Sequence, residues 1–455
     1  MKRTSRSTTI RRVATALAAT AVLAASLTAC SSNSSNDDSK SGSATGTAAV
    51  DAALKKGGTI TYWTWTPAAK AQVAAFEKAY PKVKVKLANV GTGTDQYTKL
   101  QNAIKAGSGA PDVAQIEYGV IPQFALAKSL VDLKTFGFDS LKSDYAPGPW
   151  GDVTVDGGLW GLPQDSGPMA LFYNKKIFDQ YGLTVPKTWD EYVADAKKLH
   201  AANPKEYITN DTGDPGMTTS MIWQAGGQPF KVDGNKISIN LQDQGTKKYT
   251  AVWNQLVEGK LLSTVPGWSD DWYKALGNGQ VASLISGAWM PGILESSVKD
   301  GSGDWRVAPM PTYDGTPANA ENGGSSQAVI KQSKHQALAA GFVRWLNDSE
   351  DSISIFLKAG GGFPSTTKDL SSSAFLDTAP DYFGGQKINQ VLADGAQNVL
   401  PGFSLLPYQL YANSIYADTV GKSYASNSDL NPGLVSWQKQ LVDYGNQQGF
   451  TVTGQ

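Results

Sequence analysis

The sequence predicts an α/β protein with mainly parallel sheets. Strand-like and helix-like stretches alternate strictly between residues 59 and 117. A composition with 41% hydrophobic and 18% charged residues is that of a globular chain and excludes global disorder. The length of 455 residues allows two or three domains with sizeable cores. Residues 59–65 (TITYWTW) are β-branched and aromatic and read as a strand. Thr66-Pro67 reads as an N-cap with proline at the first helical position. Val73, Phe76 and Tyr80, at i, i+3 and i+7, give that helix one buried face. Pro81 ends it. Residues 82–87 (KVKVKL) alternate as a half-buried strand, with Val83, Val85 and Leu87 on one face. Tyr97, Leu100 and Ile104 mark a second helix, and residues 112–117 (DVAQIE) a third strand. A βαβαβ order implies right-handed crossovers and a parallel sheet. Ligands of such sheets sit beyond the carboxyl ends of the strands. Trp63, Trp65, Glu117 and Tyr118 occupy those ends.

Further along, residues 186–191 (PKTWDE) form a capping box, with Thr188 as cap and Glu191 at N3. Trp189, Tyr192, Val193, Ala196 and Leu199 continue on one helical face. Tyr249, Val252, Trp253 and Leu256 mark another helix, as do Phe342, Trp345 and Leu346, and Leu434, Trp437, Leu441 and Tyr444. Residues 169–174 (MALFYN) and 281–286 read as strands. There is no internal repeat, and no composition shift marks an interdomain linker within the body, so several chain crossings are expected between domains.

The amino-terminus is different. Lys2, Arg3, Arg6, Arg11 and Arg12 precede an apolar, Ala-rich run over residues 13–27, too short to span a bilayer comfortably. A charged region, a short apolar region and small residues make a secretory signal peptide. It ends Leu27-Thr28-Ala29-Cys30, which resembles the lipobox of bacterial lipoproteins. That resemblance implies cleavage before Cys30 and its diacylation, and two acyl chains suffice for stable anchoring. Residues 31–57 are rich in Ser, Asn, Asp, Gly, Thr and Ala and are expected to be a flexible tether.

Lys plus Arg number 40 and Asp plus Glu 40, but the first 29 residues hold five of the bases and no acid. The remaining chain is therefore mildly acidic, which argues against nucleic acid as a partner. With two His and a single Cys, zinc sites, disulfides and Cys–His nucleophile pairs lack their raw material. No phosphate-binding loop, GxSxG, HExxH or EF-hand pattern occurs. No cofactor and no metal are expected. The run Asn210-Asp211-Thr212-Gly213-Asp214 reads as a polar turn rather than a calcium site.

The stretch of residues 156–199 (DGGLWGLPQDSGPMALFYNKKIFDQYGLTVPKTWDEYVADAKKL) resembles the signature of family-1 extracellular solute-binding proteins of the sugar-binding type. Asn278-Gly279-Gln280-Val281-Ala282, then Gly287-Ala288-Trp289, then residues 307–311 (VAPMP), Gly323-Gly324 and Gly361-Gly362-Phe363-Pro364 follow in the family's order. The resemblance spans essentially residues 56–455. It implies a periplasmic-binding-protein-like fold of two α/β lobes with the ligand in the cleft between them. It further implies crossings near residues 166–168, 311–312 and 366–368, and closure of the lobes around the ligand. The expected division is a signal peptide over residues 1–29 and lipidated Cys30 with its tether to residue 57. A first lobe of residues 58–166 plus 312–366 and a second of residues 167–311 plus 367–455 complete it. The implied function is capture of a sugar, an oligosaccharide in particular, outside the cell for an ABC permease. A monomeric, lipid-anchored binder on the outer face of the membrane is expected, not an enzyme. Alternatives are the same fold binding a non-sugar solute and a secreted glycan-degrading enzyme.

A sugar presents apolar C–H faces and a rim of hydroxyls. Aromatic rings stack on the former, and carboxylates and amides bind the latter, so aromatics and polar residues in loops are the candidates. They are Trp63, Trp65 and Tyr118 at strand ends, Trp289 after the strand at 281–286, and Trp223 before Ala225-Gly226-Gly227. Phe363 in the late glycine loop and Tyr408 in a Pro-flanked loop join them. The polar candidates are Glu117, Gln164 and Asp165 at the first crossing, and Asp214; Gly324 is carried over from the family pattern. Trp189, Trp253, Trp345 and Trp437 lie on helical stripes and are assigned to cores.

Overall fold

The computed structural model describes residues 46–359 and 362–455; Cys30 and the signal peptide lie outside them. Two sheets organise the chain. The first has the strand order Val83–Ala88, Gly58–Trp63, Val113–Glu117, Ser325–Val329 and Leu162–Pro163. Its first three strands pair in parallel, as the βαβαβ pattern predicts. The strand Ser325–Val329 then enters antiparallel between Val113–Glu117 and Leu162–Pro163. Period-2 alternation lets this sheet serve two apolar layers. Tyr62 and Val113 face one with Phe76 and Phe342, while Ala114 and Ile116 face the other with Tyr97 and Phe124.

The second lobe departs from expectation. Its central strand Met169–Asn174 is flanked by Ser283–Gly287 and Trp305–Ala308, and both pairings are antiparallel. Met169 and Leu171 point into a core built around Trp189, Trp253 and Trp437, whereas Ala170 and Phe172 point into one around Trp272 and Trp305. Both faces are covered, so Met169 to Phe172 are apolar without alternation and periodicity alone carries no signal of the strand's direction.

Local chemistry sets the helix ends. Thr188 caps Trp189–Ala202 and Glu191 returns the bond, completing the capping box. Thr66 does not act as a cap: the helix is Ala69–Ala79, and the Thr66 hydroxyl bonds the side-chain oxygens of Gln115 and Gln164. The expected tether is also shorter than proposed. Residues Thr47–Lys56 form a helix packed on Gln336–Asp348, with Val50 only 1% exposed and Leu54 against the same core. Val50, Ala53 and Leu54 at i, i+3 and i+4 supply the apolar stripe that the surrounding small and polar residues conceal.

Three segments join the sheets. Residues 165–168 lead out of the first, residues 321–325 return to it, and residues 362–366 lead out again. They are laced together: Phe363 and Pro364 pair with Ser166 and Asp165, and Pro168 bridges Glu321. Asn322 N–H donates to Gly167 O at 2.8 Å. The return crossing is therefore not at residues 311–312. Thr312 bridges Thr188 and Ala320 lies in the Trp189 core, so residues 312–320 belong with the second lobe. The VAPMP strand end is apolar on both faces and resembles a crossing without being one.

Candidate functional site

The three crossings bring a group of polar and aromatic side chains together. Asp165 sits at their junction, 5% exposed. Its Oδ1 accepts the Ser325 N–H at 2.7 Å, its backbone oxygen accepts the Tyr118 hydroxyl at 2.5 Å, and its other oxygen faces Gly362. Burial, with smaller contributions from the charges of Glu117 and Glu321, pushes its carboxyl up to about 8 against the Ser325 and Gln164 hydrogen bonds. Glu321 accepts the Ser166 hydroxyl at 2.8 Å, and burial raises it to about 7. Glu117, at the carboxyl end of its strand, accepts the Tyr97 hydroxyl at 2.8 Å. Burial raises Glu117, and the charge of Asp214 from the other lobe adds to the rise. None of Glu117, Asp165, Asp214 and Glu321 is in an ion pair among the described residues. Hydrogen bonds rather than cations satisfy them, which leaves carboxyl groups with capacity to hydrogen-bond hydroxyls.

Trp289 stands beside this group. It ends the turn after Ser283–Gly287, and its indole N–H donates to Asn322 O of the return crossing at 2.7 Å. Gly287 permits that approach, since a Cβ there would lie 2.3 Å from the same oxygen. With its N–H engaged, Trp289 presents ring faces. Against it lies Trp268, ring centroids 5.7 Å apart at 31°. Trp268 packs in turn on Trp272, 5.1 Å away, whose indole N–H donates to Asn210 Oδ1 at 2.6 Å.

The remaining candidates divide. Gln164 is at the junction: its side-chain oxygen accepts from Thr66 and Gln327, and its amide faces Asp165. Trp63 and Trp65 are half-buried on one face of the first sheet, and Trp65 meets Tyr97 edge-on at 6.1 Å. Tyr118 is a buried tie between the first lobe and the crossing. Gly324, at φ +97°, lies so close to its ring that a Cβ would come within 2.6 Å, so a side chain there would displace Tyr118. Asp214 is exposed and caps Pro215–Gln224 through the Met217 N–H at 2.7 Å. Trp223 is half-buried, with one face stacked on Phe403 at 4.7 Å and its N–H bonded to Leu400 O. Two assignments are corrected. Phe363 is 1% exposed and packs on Phe375. Tyr408 is 4% exposed in the Trp437 core, with its hydroxyl on Leu441 O. Loop position alone does not separate a ring that points out from one folded under. Asp211 proves a polar turn, accepting the Gly213 N–H and the Trp253 indole N–H.

Trp268, Glu321 and Asn322 are absent from the sequence-derived candidates. A signal for Trp268 existed: it follows Pro266-Gly267, off any helical stripe, just before the capping Ser269. Glu321 and Asn322 carry no such signal, because the return crossing they form follows the apolar VAPMP strand end by about ten residues and has no periodicity of its own.

The family model for bacterial extracellular solute-binding proteins matches residues 62–352. The arabinooligosaccharide-binding protein of Bacillus subtilis strain 168 is 28% identical over 374 residues, 78% of this chain and 85% of that one. The lactose-binding protein of Rhizobium radiobacter is 26% identical, over 78% and 86% respectively. Among solved structures, the ABC-transporter-associated binding protein of B. animalis subsp. lactis Bl-04, in complex with β-1,6-galactobiose, is 45% identical. It superposes with a TM-score of 0.83, covering 87% of this chain and 99% of its own. The galacto-N-biose-/lacto-N-biose I-binding protein of Bifidobacterium longum, with lacto-N-biose, is 28% identical at a TM-score of 0.76, covering 88% and 99%.

Proposed function

Because this chain belongs to the bacterial extracellular solute-binding protein family, we propose that it captures a short, uncharged oligosaccharide outside the cell and delivers it to an ABC permease. One observation carries the reading. The indole of Trp289, with Trp268 against it, stands beside carboxyl groups that have hydrogen bonds but no ion-pair partner among the described residues. The Trp289 ring covers the apolar face of a pyranose, and the carboxyl groups of Glu117, Asp165 and Glu321 hydrogen-bond its hydroxyls. Relatives whose ligands are galactobiose, lacto-N-biose, lactose and arabinooligosaccharides support a disaccharide or longer. The laced crossings act as the hinge about which the lobes close. The first lobe runs to residue 165 and resumes at residue 325, with residues 312–320 in the second. The test is a thermal-shift screen of mono- and oligosaccharides. A ligand at 100 times its Kd adds about 2.7 kcal/mol of stability. A screen in which only acidic or non-sugar solutes raise Tm contradicts the reading.

The protein is a binder rather than a glycan-cleaving enzyme. Hydrolysis needs an acid and a base or nucleophile free to reach one glycosidic bond. The arabinooligosaccharide-binding and lactose-binding relatives are binding proteins, which supports capture without cleavage.

Lipid anchoring through Cys30 completes the proposal. Among the described residues no helix is long and apolar enough to cross a membrane. The lipobox-like Leu27-Thr28-Ala29-Cys30 supports acylation. Cys30→Ala is expected to abolish it and move the protein from the membrane fraction to the medium. Equal membrane retention of the variant contradicts it.

A further inference from the structure

Among the described residues Trp268 is the one exposed aromatic, at 55%, and its backbone sits at φ +66°. A bulky L-residue at positive φ is a genuine outlier, costs free energy, and persists only where its surroundings over-determine it. Here they do. The Ser269 hydroxyl donates to Pro266 O at 2.7 Å and accepts the Trp272 N–H at 3.2 Å, pinning the loop on both sides of Trp268. Trp272 is fixed by Asn210, and the Trp268 ring rests between Trp272 and Trp289. Seven other indoles, including Trp272 and Trp289, donate their N–H to a protein oxygen; of the six without a protein acceptor among the described residues, which are Trp63, Trp65, Trp150, Trp268, Trp305 and Trp345, only Trp268 is exposed. The loop therefore holds an indole in a strained conformation, with much of its surface and its donor open to water. Packing alone gives no reason for this, since a smaller or glycine residue would relieve the strain and expose less apolar surface.

We infer that Trp268 is a specificity-determining residue that extends the Trp289 platform outward, so that the second sugar of the ligand lies on it and chain length is selected there. This rests on the proposed sugar-binding reading. The inner sugar contacts Trp289 and the carboxylates of the crossings. The outer sugar meets the Trp268 face, with one hydroxyl accepting its N–H. A monosaccharide gains nothing from Trp268; a disaccharide does.

The test is calorimetric titration of the full chain in a sugar-free detergent with galactose, β-1,6-galactobiose and lactose. Trp268→Gly removes the ring and the strain together. The expected result is a Kd for the disaccharide bound by the wild type that rises about tenfold or more. The Kd for galactose should change by less than about twofold, and Tm should be unchanged or higher. Trp268→Phe, which keeps a ring, should restore part of the affinity. Equal disaccharide affinity in Trp268→Gly, or a parallel loss for galactose, overturns the inference while leaving sugar binding intact. A lower Tm with unchanged affinities assigns Trp268 a structural role and also overturns it. A wild-type chain that binds none of these sugars or any other neutral saccharide overturns the sugar-binding reading as well.

Discussion

Replacing Trp289 by alanine is expected to weaken sugar binding about thirtyfold or more, because a buried aromatic at the centre of an interface can cost about 2 kcal/mol or more when truncated. The indole lies where the strand Ser283–Gly287 ends and the return crossing passes, held by its bond to Asn322 O. Its loss removes both the stacking surface and that bond between strand end and hinge. The appropriate comparison is Trp253→Ala. Trp253 is 1% exposed, packs edge-on against Trp189 at 5.7 Å, and anchors the Asp211 carboxylate. Its truncation is expected to cost about 3–5 kcal/mol of stability, with the affinity of the remaining folded protein little changed. Calorimetry and denaturant melts on the two variants separate the roles. Normal affinity with a core-like loss of stability in Trp289→Ala contradicts the stacking assignment.

The second large effect concerns pH. Asp165 and Glu321 titrate near 8 and 7 in the folded protein, against about 4 for unfolded carboxyls. Between those values the native state binds more protons than the unfolded one, so stability falls as pH rises. Tm is expected to be higher near pH 5 than near pH 9. Asp165→Asn keeps an oxygen for the Ser325 N–H and removes the titration, and should reduce the slope. A residual slope remains in that variant, from Glu321 and Asp152, both raised by burial, and at lower pH from Asp195 and Asp211, each raised by burial to about 6. Asp165→Leu, by contrast, strands the Ser325 N–H and should cost about 1–3 kcal/mol at every pH. An Asp165→Asn variant with the wild-type slope above pH 7 contradicts the assignment of that proton to the hinge.

These expectations show where sequence and structure part. The first three strands, the capped helix at Thr188 and the buried indoles of Trp189, Trp253 and Trp437 were legible because local periodicity and capping chemistry specify them. The direction of Met169–Asn174 was not, since a strand apolar on both faces carries no mark of parallel or antiparallel pairing. The site was legible in part. Trp289, Asp165, Gln164 and Glu117 lie at strand ends or crossings that motifs locate, and the structure brings them to one junction. Tyr408 and Phe363 looked like loop aromatics, but tertiary packing folds them inward. Trp268 fell outside because its role depends on a backbone conformation and on two neighbouring rings, Trp272 and Trp289, that only the fold brings beside it.

The central claim is that the cleft between the two sheets holds a short neutral sugar against Trp289 and the carboxylates of the hinge. Titration of β-1,6-galactobiose, lactose and arabino-oligosaccharides into wild type and Trp289→Ala, read by calorimetry, tests it most directly. The expected result is saturable one-site binding of at least one of these by the wild type and a loss of about thirtyfold or more in the variant. Binding of equal strength by both proteins, or no binding of any neutral saccharide by the folded wild type, would contradict it.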